Sequence, residues 1–89
     1  MPVISMFFGL IVRMYYFDTD QHHLPHIHVE FAEHAAVFAI ESGEVVAGVL
    51  PAAKVRLVQA WVEIHREELL ADWKLATEGA EVFKIDPLR

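Results

Sequence analysis

The chain has 89 residues, 55% of them hydrophobic, no cysteine and a formal net charge of −6, and its length is that of one domain covering residues 1–89. The lack of cysteine excludes a disulfide framework and any thiolate metal site. The acidic balance argues against a broad basic face for nucleic acid and leaves only a local patch from Lys54, Arg56 and Arg66. So short a chain buries only a bare majority of its unfolded surface. Its apolar surplus is therefore expected to be covered in part by a second chain, either in a homodimer or by a small partner protein.

The N-terminal run MPVISMFFGLIV is apolar, yet it has no basic leading region and no small-residue cleavage site. Arg13 interrupts it well short of the roughly 20 residues that a membrane span requires. It reads as strand in a cytoplasmic protein that makes no membrane contact.

Residues 3–8 (VISMFF) are β-rich and stop at Gly9. Residues 10–17 (LIVRMYYF) alternate, with Leu10, Val12, Met14 and Tyr16 on one face and Ile11, Arg13 and Tyr15 on the other. Both faces are mostly apolar, which places this strand inside the sheet. A polar loop, DTDQHHLP, leads to three more short strands at 26–32, 35–41 and 44–50. The reversals between them are expected at Glu33-His34 and at Ser42-Gly43, where glycine accepts a positive φ.

Pro51 suits the start of a helix, where its missing N–H costs nothing. From 52 to 78 the period is helical. Val58, Val62, His65, Leu69, Trp73 and Ala76 form a stripe that Leu57, Trp61, Ile64 and Leu75 widen, while Arg56, Glu63, Glu67 and Lys74 point away. Gly79 fits the stop. Unbroken, such a helix would run about 40 Å, against about 30 Å for a domain of this size. It must overhang, kink or break, and residues 65–68 are the expected place. The tail has a β-like piece at 82–85 that could dock on a sheet edge. The expected architecture is α+β: a small antiparallel meander of four to five strands packed on a long C-terminal helix.

The segment HHLPHIHVEF holds four of the six histidines. Strand alternation throws His26, His28 and Glu30 to one side, about 7 Å apart in succession, and Ile27, Val29 and Phe31 to the other. Two imidazoles and a carboxylate are a ligand set for a divalent ion such as iron, zinc or manganese. Two imidazoles alone are a general acid/base pair. Further ligands would come from Asp18, Asp20, His22 or His23. The plainer reading puts Ile27, Val29 and Phe31 in the core and the polar residues in water, and spacing alone favours it. His65 reads first as a core histidine bonded to a carbonyl or carboxylate. If the helix packed on the face carrying His26 and His28, His65 would complete a three-imidazole cluster. Arg66 would then be at hand to steady charge.

The N-terminal strand, PHIHVE (Pro25 to Glu30) and HREELLADW (His65 to Trp73) together resemble the bacterial domain-of-unknown-function family 4160. The likeness covers nearly the whole chain and gives added weight to His26, His28 and His65. It implies a small bacterial protein without an established activity, whose gene stands beside that of another small protein, as in toxin–antitoxin pairs. Two functions follow as expectations. One is a partner-binding component of such a two-gene module. The other is a metal-dependent hydrolase or nuclease in which His26, His28 and Glu30 hold the ion or move protons, with His65 or Arg66 stabilising charge.

Overall fold

The computed structural model describes residues 2–15 and 24–89. Five strands run antiparallel in sequence order, β1 (Val3–Phe7), β2 (Leu10–Arg13), β3 (His26–Phe31), β4 (His34–Ala39) and β5 (Val45–Val49), followed by one helix, α1 (Ala52–Thr77). This is the α+β meander that the alternation predicts, with β3 at its centre.

The reversals are tight. Phe8 and Gly9 both take positive φ, 50° and 81°, and join β1 to β2 in two residues, the geometry that follows the twist of paired strands. The β3–β4 reversal falls on Ala32-Glu33, one residue before the expected Glu33-His34, because His34 already pairs with Phe31. Ala32 accordingly carries a positive φ of 52°.

The helix packs mainly on one sheet face and, through Trp73, also touches His26 at the end of the other. Leu10, Val12, Met14, Ile27, Val29 and Phe38 present their side chains to the helix and pack on Val58, Trp61, Val62 and Leu69. Alternation alone selects these sheet residues. Apolar residues every third or fourth position select the helical ones.

The helix begins directly after Pro51, whose carbonyl accepts the N–H groups of Lys54 and Val55. It ends at Gly79, with φ 75°. There the Ala80 N–H bonds the Leu75 carbonyl and the Gly79 N–H bonds the Ala76 carbonyl, the two bonds of a Schellman stop. A straight helix of this length would measure about 39 Å, more than the 33 Å longest dimension of the molecule. The run breaks at His65 (φ −110°, ψ 20°), within the expected stretch. No proline or glycine lies inside the helix to cause it.

Beyond Gly79 the tail returns to the sheet. The Ile85 N–H donates to the Ile4 carbonyl on the open side of β1, and Trp61 Nε1–H donates to the Asp86 carbonyl. Ile85 joins the core. The β1 edge is thus closed by the chain's own end, at the residues where docking is predicted.

Candidate functional site

The face turned away from the core is built by register. Arg13, His28, Val37 and Ala47 stand in one row across β2 to β5, and Ile11, Glu30, Ala35 and Val49 in the next. His26 pairs with Ala39 one row further. The predicted grouping of His26, His28 and Glu30 on a common side is therefore present, opposite Ile27 and Val29.

The rings form a chain. Tyr15 lies 4.4 Å from His28, His28 lies 5.3 Å from His26, and His26 lies 4.9 Å from Trp73 of the helix. His26 is 1% exposed. Its Nδ1 stands 2.7 Å from the Leu24 carbonyl. A carbonyl only accepts, so Nδ1 carries the proton, and in the neutral ring Nε2 keeps the lone pair. Glu30 is held across the strands by Arg13, with Nε to Oε1 at 3.3 Å. A shallow hollow of about 230 Å³ is lined by Tyr15, His28, Glu30, Val37 and Ala47. A second, of about 360 Å³, is lined by Gly9, Ile11, Glu30 and His34. Glu30 lines both.

His65 and Arg66 are placed elsewhere. The His65 ring has Glu68 and Trp61 as its partners, Nδ1 to Oε1 at 2.5 Å and ring centroids 5.6 Å apart, rather than the strand histidines. The helix covers the Ile27 face, so the condition for a three-imidazole cluster is not met. Arg66, expected to steady charge at such a cluster, instead donates from Nε to the Ile40 carbonyl at 3.0 Å and pairs with Glu63. It ties the helix to the end of β4 beside the break. Among the described residues, no three His, Asp or Glu side chains are grouped to hold a metal ion. The four loop candidates, Asp18, Asp20, His22 and His23, lie outside the described residues.

Sequence reasoning passed over Asp72. It is 3% exposed, its Oδ1 accepts the Phe83 N–H at 2.9 Å, and its Oδ2 has no partner. The signal was available, since Asp72 lies three residues after Leu69 and four before Ala76 and so borders the stripe that those two residues help to form. Burial pushes its carboxyl above the ordinary value of 3.8; the neighbouring charge of Glu68 adds to this and the Phe83 N–H opposes it. The fold thus favours the protonated acid. Stability from this group is complete below about pH 4, near the unfolded pKa. It is lost as pH rises through the folded value. Asp72→Asn is therefore expected to be at least as stable as the wild type at pH 7 and to lose that advantage at pH 3, measured by urea unfolding at both. A variant weaker at pH 7 than at pH 3, relative to wild type, would contradict this sign.

The fold and this face define a class: a one-sheet α+β domain whose second sheet face is met by the helix at His26 and is otherwise left open by it. The chain belongs to the family described as Domain of unknown function (DUF4160), whose model matches residues 9–74. That span holds β2 to β5, most of α1 and both sequence motifs. No curated protein and no solved structure matches the chain. No helix among the described residues is long and apolar enough to cross a membrane.

Proposed function

We propose that this protein is a partner-binding component of a toxin–antitoxin-like two-gene module, and that the partner covers the sheet face opposite α1. The observation that carries this reading is the composition of that face. An antiparallel sheet with one covered side ordinarily shows polar residues on the other. Here the other side presents Met6, Ile11, Ala35, Ala47 and Val49, with Met6 62% and Val49 71% exposed, while Val37 between them is only 9% exposed. Bare apolar area of this kind marks an interaction surface. Arg13, Glu30, His28 and Tyr15 supply polar points within it that could fix orientation. The two-gene arrangement implied by the family resemblance supplies the identity of the partner: the product of the adjacent gene.

Co-expression with that gene product tests the reading. The two chains are expected to elute together, and Ala35→Arg, an exposed position at the middle of the face, is expected to separate them without altering the fold. Wild-type chains that elute apart would sink it.

A second reading, a metal-dependent hydrolase or nuclease, is favoured by one observation: His28, Glu30 and Tyr15 open into the same hollow. On this reading a divalent ion co-purifies with untagged protein and His28→Ala abolishes both the ion and the activity. His26 is too enclosed to meet substrate and would serve by positioning His28. No ion in the wild type, together with an indifferent His28→Ala, would remove the enzyme reading.

A further inference from the structure

The segments PHIHVE and HREELLADW are distant in the chain and meet in the fold along two routes. One is made of rings. The helix breaks at His65, and Trp73, beyond the break, lies 4.9 Å from His26. The other is made of backbone. Arg66 Nε–H donates to the Ile40 carbonyl at 3.0 Å. Ile40 is fully buried directly after β4, and its own N–H donates to the Pro25 carbonyl at 3.0 Å. Pro25 immediately precedes His26, and His26 pairs with Ala39, the residue before Ile40.

One guanidinium thus reaches, through two successive hydrogen bonds, the start of the strand that carries the histidines. Gln59, on the near side of the break, makes a matching contact, with Nε2–H donating to the Gly43 carbonyl at 3.0 Å. The two halves of the helix therefore grip the β4–β5 connection at both of its ends. The grip of Arg66 is the one that leads on to Pro25. A charged donor on a partly buried carbonyl is among the stronger and more directional of hydrogen bonds, so it fixes position as well as adding stability.

We infer that Arg66 is a positioning residue for the open sheet face: by fixing Ile40 it sets where β3 begins, and together with Trp73 it holds His26, and through it His28, in one arrangement. His28 lies 5.3 Å from His26 and lines the hollow of that face, so a change at the helix break is read out where a partner would dock. The inference deepens the partner reading and rests on it for its consequence, while the positioning itself is tested on the chain alone. An arginine that served stability only would, when removed, lower the unfolding midpoint and leave the rings of the folded protein where they are.

Imidazole carbon–proton resonances of the full chain decide it. Arg66→Met keeps the stem and deletes the donor, and the His26 and His28 lines are expected to move or broaden together. The His34 line is expected to stay, since His34 pairs with Phe31 at the far end of β3. Glu63→Gln removes the ion pair of Arg66 and spares the Ile40 bond, so both lines should keep their wild-type positions. Arg66→Lys puts a methylene where Nε stands and should displace the same two lines by less; it carries the test if Arg66→Met does not fold. Arg66→Met is also expected to weaken binding of the adjacent gene product several-fold. A wild type that binds no such product would remove the partner reading and leave the positioning to the resonances. Unmoved His26 and His28 lines in a folded Arg66→Met or Arg66→Lys, or lines that move no more than that of His34, would overturn the assignment.

Discussion

Trp61→Ala is expected to remove most of the protein's stability. Trp61 is fully buried, stacks 5.3 Å from Phe7 of β1, and holds the tail through Nε1–H to the Asp86 carbonyl. Truncating a buried tryptophan costs about 3–5 kcal/mol. A whole domain has about 5–15 kcal/mol in total, and one of this size lies at the low end. The same ring anchors three elements, β1, α1 and the tail, so the loss is not local. Trp61→Phe separates the two contributions. It keeps an aromatic ring against Phe7 but deletes the hydrogen bond and part of the ring volume, and should cost less than the alanine variant, about 1–3 kcal/mol. Urea unfolding of both variants checks this. Equal losses would mean that the Asp86 bond, and not the packing, carries the effect.

The second large effect is expected at Gly48. Its φ is 79°, and a Cβ there would lie 2.2 Å from the Ala35 carbonyl oxygen and 2.8 Å from the Ala36 Cα. These are backbone atoms of β4 and cannot rotate aside. Gly48→Ala therefore combines left-handed strain of about 1–2 kcal/mol with overpacking of about 1–3 kcal/mol. Gly43 is the control. Its φ is 76°, but nothing lies within 4 Å of a Cβ placed there, so Gly43→Ala should pay only the strain, about 1–2 kcal/mol. If the two variants unfold at the same urea concentration, the close approach of β5 to β4 is wrong.

Much of this fold is legible in the chain because it depends on local periodicity. Alternation turns Leu10, Val12, Met14, Ile27 and Val29 to the core and Ile11, Arg13, His28 and Glu30 to the other side, as found. Strand β2 is nevertheless paired only over Leu10–Arg13 of the expected 10–17, of which 16 and 17 lie outside the described residues. Gly43, Pro51 and Gly79 mark boundaries for reasons of backbone geometry alone. The helix break near His65 follows from length against domain size. What the chain conceals depends on distant contacts. His26 is placed in water by the plain reading of its strand, yet it is buried, because Trp73, from beyond the helix break, comes to lie against it. Ile64, which by its spacing widens the apolar stripe, is 64% exposed, whereas the acidic Asp72 beside that stripe is buried. A periodic pattern gives the direction of a residue but not whether something arrives to cover it. Arg66 illustrates the same limit: its bond to the Ile40 carbonyl joins residues that are 26 apart. For the candidate site, the shared side of His26, His28 and Glu30 was readable from spacing. The separation of His65 from them was not, since it turns on which sheet face the helix chooses. Both faces of this sheet are apolar enough to accept it.

The returning tail has one more consequence. By sealing one rim of the sheet it spares the Ile4 carbonyl of β1 from facing water. Clipped before Phe83, the same domain would bare that rim and would also leave the buried Trp61 indole N–H without the Asp86 carbonyl. The last few residues, outside the span that the family model recognises, thus finish the core rather than trail from it.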